Sequence, residues 1–226
     1  MKDTFNNLEI FKSTLPVMMG YLPLGLAFGL YAVSLGIKPW IVIFTALLVY
    51  AGSAEFMLAV FIVTKASLLE LFFVIFLINF RHFFYTLSLL DEIKTLKFPF
   101  YFIYALTDET FAMLKARALA GQNPKDLNRL YNLTALLNQF YWLCGCAFGA
   151  FLGVALPFDY SGIEFSLCAL FALLAYEIFK KERNFNVLSL AFACALAGLF
   201  ILPDRYYLFG VLIAGISVLC VFRRYF

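Results

Sequence analysis

The chain has 226 residues, of which 64% are hydrophobic and 14% charged, with a formal net charge of +3. A soluble domain carries about 25% charged residues, so a soluble globule is excluded. The few charges form no basic run that would point to nucleic acid or an anionic membrane surface. At roughly 20 apolar residues per crossing there is room for about eight or nine spans and for no extramembrane domain. The expectation is one transmembrane domain over residues 1–226.

In chain order, the N-terminal stretch through Pro16 has mixed charge and no short apolar core followed by a small-residue cleavage site, so it does not read as a removable signal peptide. Lys12 and Lys38 bracket an uncharged run containing Pro16, Gly20, Pro23, Gly25 and Gly29. That density of helix breakers predicts a broken or kinked first span. Lys38 to Lys65 is apolar except for Glu55, and Leu68 to Leu90 is apolar except for Glu70 and the cluster Asn79, Arg81 and His82. Phe98 to Leu114 has about the minimum spanning length and carries Asp108 and Glu109. A long uncharged span lies between Arg129 and Asp159, and shorter runs follow at Phe165–Phe179, Phe185–Leu202 and Tyr206–Phe222. The predicted fold is therefore an all-α polytopic membrane protein of about seven transmembrane helices, within a range of six to eight, some of them broken.

Lys and Arg favour cytoplasmic loops. If Phe98–Leu114 spans, there are eight helices with both ends inside. Lys2, Lys12, Lys65, Lys115, Arg117, Lys125, Arg129, Lys180, Lys181, Arg183, Arg223 and Arg224 then face the cytoplasm against Lys38, Lys94, Lys97 and Arg205. If it is re-entrant, there are seven, and the Lys2, Lys12 and Lys65 group trades sides with the Lys38, Lys94 and Lys97 group. Both arrangements leave the C-terminal Arg223 and Arg224 in the cytoplasm.

Gly25-Leu-Ala-Phe-Gly29 is echoed by Gly145-Cys-Ala-Phe-Gly149, and Glu55 by Glu177 at nearly the same offset. Such an echo is expected of duplicated three-helix blocks, over 14–90 and 130–202, arranged as an inverted repeat with a central binding site. The five cysteines, at 144, 146, 168, 194 and 220, sit in apolar runs and read as reduced packing residues, with too few companions for a metal site. No motif calls for a cofactor.

A charged side chain at mid-bilayer costs about 2.5 to 3.5 kcal/mol on insertion scales, so it persists where it is paired or meets water. Glu55 follows Ala51-Gly52-Ser53-Ala54, small residues that let a helix open and expose backbone groups to a ligand. Its two readings are a site for a substrate ammonium or coupling proton, and a buried structural glutamate. Arg81 offers a fork for a carboxylate or a partner for Glu55, and His82, the lone histidine, could relay protons; both could equally be interfacial anchors. Counting depth from Lys65 leaves Glu55 and Arg81 about 9 Å apart along the membrane normal at 1.5 Å per residue, which favours a shared amino-acid zwitterion over direct contact. Thr107-Asp108-Glu109-Thr110 reads either as a helix N-cap with acidic first-turn residues or as a gate.

Three of these motifs resemble a known family. Tyr50-Ala51-Gly52-Ser53-Ala54-Glu55-Phe56, Asn79-Phe80-Arg81-His82 and Leu106-Thr107-Asp108-Glu109-Thr110-Phe111 are similar, in order and spacing, to signatures of the AzlC-type branched-chain amino-acid permeases. The likeness is most specific over residues 14–112. It implies a multi-pass protein of the bacterial inner membrane that exports valine, leucine and isoleucine, and for some members methionine, together with a small AzlD-type membrane subunit. Gly25, Gly29, Gly52, Ser53, Glu55, Asn79, Arg81, His82, Asp108 and Glu109 are then the candidate substrate-binding or coupling residues. Many members carry glutamine at the position of Glu55, which weighs against an obligatory proton carrier there. With no ATP-binding motif, the energy source would be an ion gradient. A zinc or Gly-x-Ser-x-Gly enzyme motif is absent from the sequence. The alternative to a carrier is a channel-like or noncatalytic scaffold subunit.

Overall fold

The computed structural model describes residues 6–116, 124–156 and 185–201, with isolated helical positions at 165, 172, 176, 210–211, 213–215 and 217–218. Among the described residues every regular element is an α-helix: α1 (Asn7–Ser34), α2 (Pro39–Leu48), α3 (Gly52–Thr64), α4 (Leu68–Asn79), α5 (Arg81–Ser88), α6 (Leu90–Ile93), α7 (Pro99–Tyr104), α8 (Asp108–Ala116), α9 (Pro124–Ala155) and α10 (Phe185–Ile201). The chain forms two compact units, residues 1–167 and 168–226. In the second, α10 is an apolar helix of 17 residues. The first holds α1 to α9.

α1 and α9 are long and apolar enough to cross a membrane, and they run side by side in the same direction. Near their starts Arg129 Nε donates to Asn7 Oδ1 at 2.7 Å. At mid-length a Cβ on Gly25 would meet the Trp142 carbonyl at 2.9 Å and Gly145 Cα at 3.1 Å, and near their ends Gly153 faces Val33. The numbers rise together, so the helices are parallel. Ile10, Thr14, Tyr21, Gly25, Phe28 and Ala32 keep a buried seam of three-and-four spacing toward the partner. A Cβ on Gly29 or Gly149 would lie inside the opposite backbone. In lipid, where apolar burial gives little drive between helices, such close backbone packing is what holds a pair together.

Two hairpins enter this pair from opposite sides. The first is α2 and α3. It starts where α1 ends, with Ile37 N–H on the Ala32 carbonyl, and descends to Gly52, where a Cβ would lie 3.3 Å from the Trp142 ring. It then returns: Phe56 packs against Phe28 and Tyr31, with ring centroids 5.1 and 5.6 Å apart, and Ala59 and Ile62 share a small apolar cavity with Ala32 and Ile37. At about 1.5 Å per residue its arms of 10 and 13 residues rise about 15 and 20 Å, half to two thirds of a hydrocarbon core of about 30 Å. Tyr50 at the tip adopts φ 42°, left-handed backbone that costs a non-glycine residue about 1 kcal/mol or more.

The second hairpin is α7 and α8. Lys97 N–H bonds Asn128 Oδ1 at 2.7 Å, Phe102 packs on Tyr131, and Tyr101 donates to Gln139 Oε1 at 2.9 Å, so α7 climbs α9 from its first turns to its middle. After Thr107 the chain comes back, with Phe111 stacked on Tyr85 and Lys115 Nζ on the Ser88 carbonyl at 3.0 Å. Between the hairpins α4 and α5 form an apolar pair bent by 41° at Phe80, together long enough for one span.

Several expectations change. The first span is continuous despite Pro16 and Pro23. The run from Lys38 to Lys65 is a hairpin where a span was expected, and Phe98–Leu114 takes the re-entrant alternative. In the first unit two helices, α1 and α9, are long and apolar enough to cross, or three spans if the bent α4–α5 pair counts as one, where four or five runs were counted; α10 is a shorter apolar helix, and Glu177 and most of Phe165–Phe179 and Tyr206–Phe222 lie outside the described residues. The glycine echo does not by itself carry an inverted repeat with halves 14–90 and 130–202, of which 157–184 lies mostly outside the described residues. Its two copies pack against each other in parallel. The elements that do run in opposite directions are hairpin-plus-span units, α2 to α5 and α7 to α9.

Candidate functional site

The hairpin tips meet beside Tyr21 and Trp142, near the centres of α1 and α9. Tyr104, ending α7, lies 6.3 Å from Tyr50 between ring centroids, and its hydroxyl donates to the Leu47 carbonyl at the end of α2. α3 and α8 therefore both begin at this level. Their first N–H groups, free of helical acceptors, and the positive ends of their dipoles lie close to one another inside the bundle.

Around the first tip, Glu55 is fully buried. Its Oε1 accepts from Trp142 Nε1 and from Ala51 N–H, both at 3.0 Å, while its Oε2 has no partner. Ser53 is buried two residues before it, and Phe28 stacks on Trp142 at 6.3 Å, so the carboxyl sits among aromatic faces. Around the second tip, Tyr21 OH lies 2.7 Å from Thr107 Oγ1 and 2.6 Å from Glu109 Oε2. Thr107 Oγ1 lies 3.0 Å from Thr110 Oγ1 and accepts the Thr110 N–H, the expected N-cap of α8. Asn138 Nδ2 donates to Thr110 Oγ1 at 2.9 Å. Gln139 links Tyr101 and Tyr104.

Arg81 does not pair with Glu55. Its guanidinium holds Asp108 Oδ2 at 2.8 Å, tying the bend of α4–α5 to the first turn of α8. The helix from Glu55 to Lys65 is continuous, as the depth estimate assumed; what that estimate left out is the bend between α4 and α5 and the Asp108 carboxylate waiting there. His82 Nδ1 lies 3.0 Å from the Asn79 carbonyl at the same bend, and Asn79 Oδ1 is buried without a partner. Gly25 and Gly29 are packing positions against α9, whereas Gly52 lets Trp142 close on the first tip. Sequence reasoning missed Tyr21, Tyr50, Tyr104, Asn138, Gln139 and Trp142. The available signal was polar residues within long uncharged runs, and in Trp142 one of two tryptophans.

Residues 16–156 match the family described as AzlC protein. The chain belongs to the AzlC family. The matched segment runs from the first turns of α1 to the end of α9, the segment that carries both hairpins. Over 215 residues, 95% of this AzlC-family chain and 84% of the relative, it is 29% identical to the branched-chain amino acid transport protein AzlC of Bacillus subtilis (strain 168). It is 33% identical to an uncharacterized membrane protein of Helicobacter pylori (strain ATCC 700392 / 26695), covering 96% of the chain and 94% of the relative. Inner membrane protein YgaZ of Escherichia coli (strain K12) is 30% identical, covering 85% and 81%. No solved structure matches the chain.

Proposed function

We propose that this protein is the large subunit of a secondary carrier that exports branched-chain amino acids across the bacterial inner membrane, working with a small AzlD-type membrane subunit. The observation that carries the reading is the meeting of two opposed half-membrane hairpins at a polar knot near the centres of α1 and α9. Broken helices whose N-termini end at the midplane are the usual way a carrier holds a small zwitterion. The substrate carboxylate would take the Gly52 and Ser53 N–H groups at the start of α3, and its ammonium the free Oε2 of Glu55. A branched aliphatic side chain would lie on the rings of Phe28, Phe56 and Trp142.

The orientation follows from the same hairpins. Lys12, Lys94, Lys97, Lys115 and Arg129 fall on the side where α1 begins, against Lys38 and Lys65 where it ends. The positive-inside bias then assigns the N-terminus to the cytoplasm, alongside the C-terminus expected there from Arg223 and Arg224. The test is counterflow in liposomes holding this chain with its small subunit, using labelled leucine, valine, isoleucine and methionine. Saturable counterflow of the branched substrates is expected. Unsaturable flux would favour a channel, and none for any of the four would refute the carrier.

A further inference from the structure

Tyr21 has a single hydroxyl hydrogen and two close oxygen neighbours, Thr107 Oγ1 at 2.7 Å and Glu109 Oε2 at 2.6 Å. With the Thr107–Thr110 contact at 3.0 Å, three hydroxyls and one carboxylate form a row of three oxygen–oxygen contacts, filled by the three hydroxyl hydrogens while Glu109 is ionised and supplied with a fourth hydrogen when it is protonated. Only two fillings satisfy every contact. In one, which reverses the direction in which Tyr21 donates to Thr107 in this structure, Thr110 donates to Thr107, Thr107 to Tyr21, and Tyr21 to an ionised Glu109. In the other, a protonated Glu109 donates to Tyr21, Tyr21 to Thr107, and Thr107 to Thr110.

From this geometry we infer that Glu109 is a proton-binding site of the transport cycle, served by a relay through Thr110, Thr107 and Tyr21. The exchange balances. A proton arriving at Thr110 Oγ1 displaces that residue's own hydrogen to Thr107, Thr107's to Tyr21 and Tyr21's to Glu109 Oε2, leaving three intact hydroxyls and one new carboxylic acid. The relay opens toward the starting side of α9. Asn138 Oδ1, Thr134 Oγ1 and Tyr131 OH lie at one-turn intervals there, each on a fully buried residue and each without a protein partner. An unmet buried polar group costs about 1 to 3 kcal/mol, and water is the partner such groups take. The ionisable groups around Glu109 are Tyr21 on α1, Tyr50 on the first tip, Tyr85 on α5 and its neighbour Asp108, which Arg81 engages; α9 offers the uncharged Asn138 and Trp142. No cation competes for Glu109 among these. On the carrier reading, which this inference deepens, an inward-opening relay releases to the cytoplasm the proton that drives export.

The test is infrared difference spectroscopy of the purified protein, with its small subunit, stepped in pH. A carboxyl band that rises and falls with pH is expected in the wild type and in Glu55→Gln, and is expected to vanish in Glu109→Gln. Tyr21→Phe, which keeps the ring against Trp142, should shift that band by removing its hydrogen-bond partner, and this variant decides the matter if Glu109→Gln does not fold. A band that survives Glu109→Gln, or that Tyr21→Phe leaves in place, overturns the inference. Leucine counterflow by the wild type is read separately, so a failed carrier reading and a failed proton site give different results.

Discussion

The two halves of the bundle are built on different chemistry. Where α1 and α9 end, their backbones interlock through Gly25, Gly29, Gly145 and Gly149, and the first hairpin closes over them with Phe28, Tyr31 and Phe56. In the other half the same pair is joined by polar side chains, with Thr14 against Tyr141 at 3.0 Å, and the second hairpin sets Tyr101 against Gln139 and Thr110 against Asn138 of α9. Glycine contacts leave no room for water or substrate, whereas hydroxyls and amides with unmet bonding capacity invite both. On the proposed carrier reading one half is a wall and the other a way in, and the candidate site lies where they meet. An alternating-access protein needs this kind of inequality, closed on one side of its site while hydrated on the other.

The wall is the place to expect the largest effect. Gly29→Leu must drive α1 and α9 apart, and overpacking of this kind costs about 3 kcal/mol or more. Monodisperse yield after detergent extraction should collapse. Gly20→Ala, where an added Cβ meets nothing within 4 Å, should match the wild type. Equal yields for the two would show that the glycine contact is not structural.

Glu55, at the border of the two halves, should respond to shape more than to charge. Glu55→Gln keeps an oxygen for Trp142 Nε1 and the Ala51 N–H, so it should cost under about 1 kcal/mol, whereas Glu55→Leu strands both donors at about 1 to 3 kcal/mol each. Thermal unfolding ranks them, and because the glutamine NH2 then stands where the free Oε2 would take the substrate ammonium, export should fall in the first variant while its fold holds, and fail in the second. A glutamine variant as unstable as the leucine variant would mean that the ionised carboxylate itself is needed.

The smallest effect is expected at the partly exposed Arg81–Asp108 pair, where removing either side should cost about 1 kcal/mol or less. A double-mutant cycle of Arg81→Gln with Asp108→Asn should show coupling, and one of Arg81→Gln with Glu55→Gln should be additive. Coupling in the second cycle would restore the Glu55–Arg81 pair that the structure does not form.

Much of the site could be read in the sequence because buried charges are costly in lipid and stand out: Glu55, Arg81, Asp108 and Glu109 all lie at or beside the hairpin tips or the bend. The N-cap at Thr107 was legible from its Thr-Asp-Glu-Thr pattern. The architecture was not. The 26 residues from Pro39 to Thr64 are apolar and long enough to span, and what folds them back is the left-handed Tyr50, which composition does not announce. The prolines misled in the opposite sense, marking a break in α1 where the structure has none. The glycine echo was real as a signal, and its cause is the need of two parallel helices for matching small faces. Tyr21, Asn138 and Trp142 are neutral and individually ordinary; only the fold makes them neighbours.

The central claim is that two half-membrane hairpins enter from opposite sides, and single cysteines at their feet test it directly. In a cysteine-free background, Lys38→Cys, Lys65→Cys, Lys97→Cys and Lys115→Cys are exposed to a membrane-impermeant maleimide, in intact cells and after permeabilisation. The hairpins predict that positions 38 and 65 both label in intact cells, and that 97 and 115 label only once the membrane is opened. Labelling of 38 and 65 from opposite sides would make α2 and α3 a crossing and contradict the account.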